Sequence, residues 1–321
     1  MAASSKSIAF VHTDDVDDTA KVDAKPINAA MEECVRWALA ALNSPTGTHS
    51  DVQTRHMRGV LASMRWTHRA IRKALGWEEK PMAVDALALA RIPLEGLYSL
   101  CLMIEDPMWV DRYLQDGWKK QYVRFLLQRE ETKNLPRFKE FNEVSGPKEL
   151  LALQGLLGIT DEQRATIDFD ELGATMPSGM NRSEILRFPT PGRVIGRIRV
   201  PERKRLLERL YPEYEWLCSF AHGLPDAVFY KTAYDEESGT PNVGGSDPAE
   251  IFHRRVAEPA YLASLLSIVQ AATELITLYP HDVNLAASVV NAWKEISHGA
   301  LLGRAMWEIR SKSLLGVIGP S

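Results

Sequence analysis

The chain has 321 residues, 45% of them apolar and 25% charged, with a formal net charge of −4. Such a composition excludes a fibrous or wholly disordered chain, and the slight acidic excess excludes a globally basic protein, so any affinity for phosphates must come from local asymmetry. Cys34, Cys101 and Cys218 are odd in number, far apart and set in apolar contexts, which excludes a disulfide framework and predicts reduced thiols in a cytoplasmic protein.

Residues 1–25 are acidic and lack the basic-then-apolar layout of a signal peptide. They are predicted to be a disordered tail ahead of a single helical domain over 26–321. Helical periodicity then dominates, predicting helices over 27–42, 51–75, 83–104, 108–131, 147–157, 201–210 and 212–222. Near the C-terminus, Leu262, Leu265, Leu266, Val269, Ala272 and Ile276 recur at helical spacing. Leu285, Val289, Trp293, Ile296 and Ala300 do the same beyond Pro280, giving two long helices. The apolar run from Ala260 to Tyr279 carries Gln270 and Glu274, so it reads as a buried helix, and no membrane partner is expected. The expected fold is an all-α multi-helix bundle with a long irregular insertion around residues 159–200, rich in Pro and Gly, holding at most a short strand at Arg193 to Val200. A second loop, 235–248, is rich in Gly, Ser and acidic residues and is predicted to be disordered.

Two places carry candidate chemistry. In the first, Arg91-Ile-Pro-Leu-Glu95, Pro93 cannot donate to the Leu89 carbonyl and is expected to kink its helix, while Arg91 and Glu95 lie four residues apart on one face. An ion pair on so apolar a helix is costly without further partners, so it is either a structural pair or a site for a polar ligand. In the second, the run Tyr211 to His222 reads YPEYEWLCSFAH. At about 100° per residue, Glu215, Ser219 and His222 share one stripe of an otherwise apolar helix. His222 closes that helix, where the dipole favours imidazolium, and Ser219 one turn back is within reach of it. These groups are either a satisfied polar cluster in a core or an acid/base site.

Taken together, the AxxxARxPLEGLYxL pattern around Arg91 and the later YxxYxxLCxFAH pattern resemble a bacterial helical family known as domain of unknown function 5677. That family lies near the HEPN (higher eukaryotes and prokaryotes nucleotide-binding) superfamily, many of whose members are ribonucleases in toxin or phage-defence systems. The resemblance covers the chain from Leu87 to the C-terminal helices and implies Arg91, Glu95, Ser219 and His222 as the catalytic set. HEPN ribonucleases carry an Arg four to six residues before a His on one helix, and none of the eight histidines here has one. A pair of that kind therefore requires Arg91 to reach His222 from another helix.

Two basic surfaces are candidates for anion or nucleic-acid binding. Arg55, Arg58, Arg65, Arg69 and Arg72 form a stripe beside the apolar Met57, Leu61, Met64, His68 and Ile71, and either track phosphates or pair with acidic residues from elsewhere. His68, on the apolar side, reads as a core histidine. Between 182 and 209, nine Arg or Lys, including Arg197 and Arg199, face three Glu. Neither surface carries the interleaved aromatics of a single-strand stacking platform. There is no glycine-rich phosphate loop, no paired-cysteine zinc pattern and no HExxH, and the one Glu-x-x-His, at Glu295 and His298, has no second copy. Neither a metal nor a cofactor is expected. The function expected from these features is binding or cleavage of RNA or a nucleotide. The alternative is a non-catalytic helical scaffold or adaptor, with a protein partner or a second copy of the chain.

Overall fold

The computed structural model describes residues 24–75, 85–158, 188–222 and 256–297, and every regular element among them is helical. The helices are α1 (Ala24–Ala41), α2 (Asp51–Leu75), α3 (Asp85–Glu105), α4 (Met108–Thr132), α5 (Gly146–Leu157), α6 (Pro191–Ile195), α7 (Pro201–Ala221), α8 (Glu258–Leu275) and α9 (Val283–Ser297). The protein is an all-α multi-helix bundle. Its contacts divide it into a larger unit, residues up to Asp106 and from Thr190 onward, and a smaller one, Pro107–Pro189.

In the larger unit α3 and α8 pack on each other and are the most buried helices, with α2 against both, α1 on α8 and α9, and α7 on α3. α2 shows why the chain folds this way. Met57, Leu61, Met64, His68, Ile71 and Ala74 come round once per turn and are all buried. Ser50 and Gln53 form a capping box at its start: the Gln53 N–H donates to Ser50 Oγ at 3.3 Å, and the Ser50 N–H donates to Gln53 Oε1 at 3.0 Å. α8 is buried on nearly every side. Its serine and threonine hydroxyls are satisfied by its own backbone, Ser267 donating to the Ala263 carbonyl and Thr273 to that of Val269. Trp293 of α9, among the largest fully buried side chains, donates its indole N–H to Thr273 Oγ1 at 2.8 Å. By length and composition α3 is apolar enough to cross a membrane, a criterion the core helix of a bundle also meets, and 61% of that stretch is buried inside the protein.

Gly96 sets the approach of α3 to α2. A Cβ built there would lie 2.6 Å from Met64 Cγ and 2.7 Å from its sulfur, in a side chain that is 1% exposed. Gly96→Ala gains helix propensity worth about 1 kcal/mol, but overpacking a core contact costs about 1–3 kcal/mol. The variant is expected to be less stable than wild type in urea denaturation, and an unchanged or raised midpoint would contradict that.

Two local readings are corrected. The separate helices expected over 201–210 and 212–222 are one helix, α7, with Pro212 inside it. Both Pro212 and Glu208, whose carbonyl loses its donor, are exposed, so the freed acceptor faces water and the helix carries on. The strand expected within 193–200 is instead the short helix α6 followed by turns, opened by the N–H groups of Arg193 and Val194 on the Thr190 carbonyl. Residues 159–187, most of the expected insertion, lie outside the described residues, as do the 235–248 loop and residues 1–23.

The smaller unit has its own core. Tyr122 and Leu126 of α4 meet Leu150 and Leu153 of α5, with Trp118, Phe125 and Leu157 packed alongside. Asn142 ties the connection down by donating to the Thr132 carbonyl at 3.0 Å. Gly158, at φ 66°, ends α5 in the left-handed region that glycine occupies without strain.

Candidate functional site

α3 and α7 lie side by side in the larger unit and run antiparallel. Glu105 at the end of α3 meets Arg203 near the start of α7, while Arg91 near the start of α3 meets His222 at the end of α7. The two ends differ sharply in exposure.

The first end is sealed. Arg203 and Glu274 are 2% and 0% exposed, and the guanidinium lies between two carboxylates, with Nε donating to Glu274 at 2.7 Å and Nη1 donating to Glu105 at 3.0 Å. Glu105 also accepts the backbone N–H groups of Arg199 at 2.7 Å and Val200 at 3.1 Å, so it caps α7 as well as pairing with Arg203. Gln270 donates to the other oxygen of Glu274 at 2.8 Å. Burial works against the Arg203 charge, but Glu274 and Glu105 outweigh it and hold the guanidinium more firmly protonated than usual.

The second end is open. Arg91 Nε stands 3.1 Å from Glu95 Oε1, and the same oxygen accepts the Tyr214 hydroxyl at 3.0 Å. Arg91 Nη1 donates to His222 Nε2 at 3.3 Å, across 131 residues of sequence, and His222 is exposed. Because a guanidinium has only donors, Nε2 must offer its lone pair, so the imidazole in this contact is neutral with its proton on Nδ1. Tyr214 in turn packs on two further tyrosines, its ring centred 6.1 Å from that of Tyr98 and 6.0 Å from that of Tyr211. Burial, with Cys218 and the Glu95 carboxylate adding to it, pushes the Tyr214 phenol up, so it remains a donor.

Of the four residues the sequence suggested as catalytic, Arg91, Glu95 and His222 are thus brought together. Ser219 is not: it is buried and donates to the Trp216 carbonyl at 2.7 Å, an acceptor on its own helix. Tyr214 stands where Ser219 was expected, as the hydroxyl in the cluster.

The arginine stripe on α2 is largely engaged by protein groups. Arg69 grips Glu32 of α1 with two hydrogen bonds, at 2.8 and 2.9 Å, and Arg65 donates to the same carboxylate at 2.7 Å. Burial would raise the Glu32 carboxyl, but Arg69 and Arg65 hold it below its ordinary range. Arg55 pairs with Asp51 of its own helix, and Arg58 donates to the Leu39 carbonyl at 3.3 Å, near the end of α1. Arg72 is exposed. The stripe also carries an aromatic that the sequence reading passed over: Trp66 is 64% exposed, with the Arg69 guanidinium 5.2 Å from its ring centre. Arg197 and Arg199 are exposed as well. Among the described residues no cluster of His, Cys, Asp and Glu suits a metal ion, and Glu295 is described without its companion His298. No family model, no curated protein and no solved structure matches the chain.

Proposed function

We propose that the Arg91–His222 pair is a phosphate-handling site that binds or cleaves RNA or a nucleotide, in the manner of a HEPN-like protein of bacterial toxin or defence systems. The reading rests on one contact, the 3.3 Å hydrogen bond between an always-charged guanidinium and a neutral imidazole at an exposed position. In this reading His222 is the acid/base: with phosphate bound its ring carries a second proton, which Nε2 gives to the leaving oxygen while the proton of the attacking ribose hydroxyl passes to solvent, and the neutral ring left behind can act as base. Arg91 stabilises charge building on the phosphate oxygens, and Glu95, held by Tyr214, keeps the guanidinium in place. The basic residues Arg193, Arg199, Arg205 and Arg209, exposed on α6, α7 and the segment joining them, supply a route for a phosphate backbone. The protein acts in the cytoplasm and needs no metal, cofactor or membrane in this scheme.

The test is incubation of purified protein with total RNA beside His222→Ala and Arg91→Ala. Wild type is expected to cleave, with each variant slower by at least about 100-fold, the scale of lost acid/base or oxyanion help. Cleavage that is absent, or equal in all three proteins, removes the enzymatic reading. A second reading, a protein-binding scaffold that works as a homo-oligomer or with another protein, is favoured by the exposed apolar side chains of the smaller unit, Leu151, Leu156 and Val144, at 64, 52 and 50% exposure.

A further inference from the structure

We infer that Arg91 and His222 take up a phosphate group together with a proton, the oxyanion replacing the hydrogen bond between the two residues. The inference rests on the phosphate reading above and deepens it.

Arg91 has five N–H groups. Among the described residues they meet two partners, Glu95 and His222, so three N–H groups remain for an incoming acceptor. The planar fork of a guanidinium matches the oxygens of a phosphate, and the Arg91 side chain keeps 24% of its surface open to solvent. The contact with His222 uses the lone pair on Nε2, the same atom that would have to meet the ligand. With an oxyanion between them both residues must donate, and Nε2 donates only if the ring carries a second proton. Binding therefore exchanges one N–H···N bond for two charge-assisted ones and draws a proton from solvent.

Among the described residues, the other titratable or charged groups on this side of the two helices do not supply that proton. On α3, Glu95 is committed to Arg91 and Tyr214. On α7, Tyr214 already uses its hydroxyl proton on Glu95, Cys218 interacts with Tyr214, and Glu215 interacts with Tyr211. α6, which carries Arg193, meets α7 at its middle, where Gly192 lies against Tyr211, about 16 Å along the helix from His222. Proton uptake is thereby assigned to His222.

The experiment is calorimetric titration of the full chain, in buffers of different ionisation enthalpy, with an uncleavable 2′-deoxy dinucleotide, a nucleoside monophosphate and inorganic phosphate as separate probes. A methylphosphonate dinucleotide, uncharged at the linkage, is the control. At least one phosphate probe is expected to bind with uptake of up to one proton, its affinity weakening by as much as tenfold per pH unit as pH rises. The methylphosphonate is expected not to bind. His222→Gln keeps Arg91 and is expected to bind the same probe more weakly; with the dinucleotide, whose linkage phosphate does not titrate near neutral pH, it shows no proton uptake and a flat pH profile, and with the monophosphate probes only the ligand's own titration remains. Binding without proton uptake, uptake unchanged in His222→Gln, or no binding of any phosphate probe overturns the inference. Proton-linked binding without cleavage of total RNA sinks only the ribonuclease reading, and cleavage without linked uptake sinks only this one. The two failures are therefore distinguishable.

Discussion

Replacing Arg203 with alanine is expected to destabilise the larger unit by about 3–5 kcal/mol, the usual cost of removing one partner from a buried ion pair. Folded domains stand only about 5–15 kcal/mol above their unfolded states, so this single change consumes much of the margin. The carboxylates of Glu274 and Glu105 would lose the guanidinium that lies between them, in a region where Glu274 is wholly buried. The backbone at Arg199 and Val200 is held by Glu105, so the start of α7 should loosen at the same time. Charge, not volume, sets the size of the effect. Arg203→Met restores most of the bulk but should remain strongly destabilised, whereas the triple variant Arg203→Met with Glu105→Gln and Glu274→Gln should recover a large part, because no unpaired charge remains buried. Urea denaturation of the three proteins checks this. An Arg203→Ala midpoint equal to wild type, or a triple variant no better than Arg203→Met, would show that the triad is not held together by its charges.

That same residue marks the limit of what the sequence makes legible. Periodicity placed the helices because burial on a helix repeats every turn, as Met57, Leu61, Met64 and Ile71 do on α2. Burial of a charge has no such local signature. Arg203 sits in a run of exposed basic residues, and its partners are 71 and 98 residues away, so nothing nearby in sequence distinguishes it from Arg205 or Arg209. Pro212 misled for a related reason: the rule that proline ends a helix takes no account of whether the carbonyl it frees can reach water. The Arg91–Glu95 pair was readable from its four-residue spacing, while its meeting with His222 was expected only through a family resemblance. Ser219 was assigned to His222 on helical geometry, yet a serine inside a helix always has its own backbone carbonyls within reach, and that of Trp216 took the proton.

Stability is expected to be greatest over a plateau between about pH 4.5 and 6.5 and to fall on both sides, because two groups are buried uncharged with opposite consequences. His68 is fully buried at the junction of α1, α2 and α8, where Ser264 gives its own proton to the Tyr261 carbonyl and so accepts from His68 Nδ1 at 2.7 Å. Burial, with the Arg72 charge adding to it, lowers the imidazole from 6.5 to about 4. Below 6.5 the unfolded chain binds a proton that the folded one refuses, so His68 removes stability as pH falls through that window. Glu213 behaves in the opposite sense. Glu213 is half-buried, with Oε1 out of reach of solvent and without a hydrogen-bond partner among the described residues, and burial raises the carboxyl from 4.5 to about 8. Above 4.5 the unfolded chain releases a proton that the folded one keeps, so Glu213 removes stability as pH rises. Each group contributes a slope of up to about 1.4 kcal/mol per pH unit. Between 4.5 and 6.5 the two slopes oppose and nearly cancel. Above 6.5 Glu213 acts alone, and below 4.5 His68 acts with Glu32, whose lowered carboxyl gives up its stabilisation as it protonates. Glu213→Gln keeps the shape without an ionisable proton, so it should flatten the descent between about pH 6.5 and 8 and leave the acid limb as it was. Urea midpoints of the two proteins across that range decide the matter: a wild-type profile that stays level up to pH 8, or a Glu213→Gln profile that still descends, would mean that the Glu213 carboxyl is not the buried proton store.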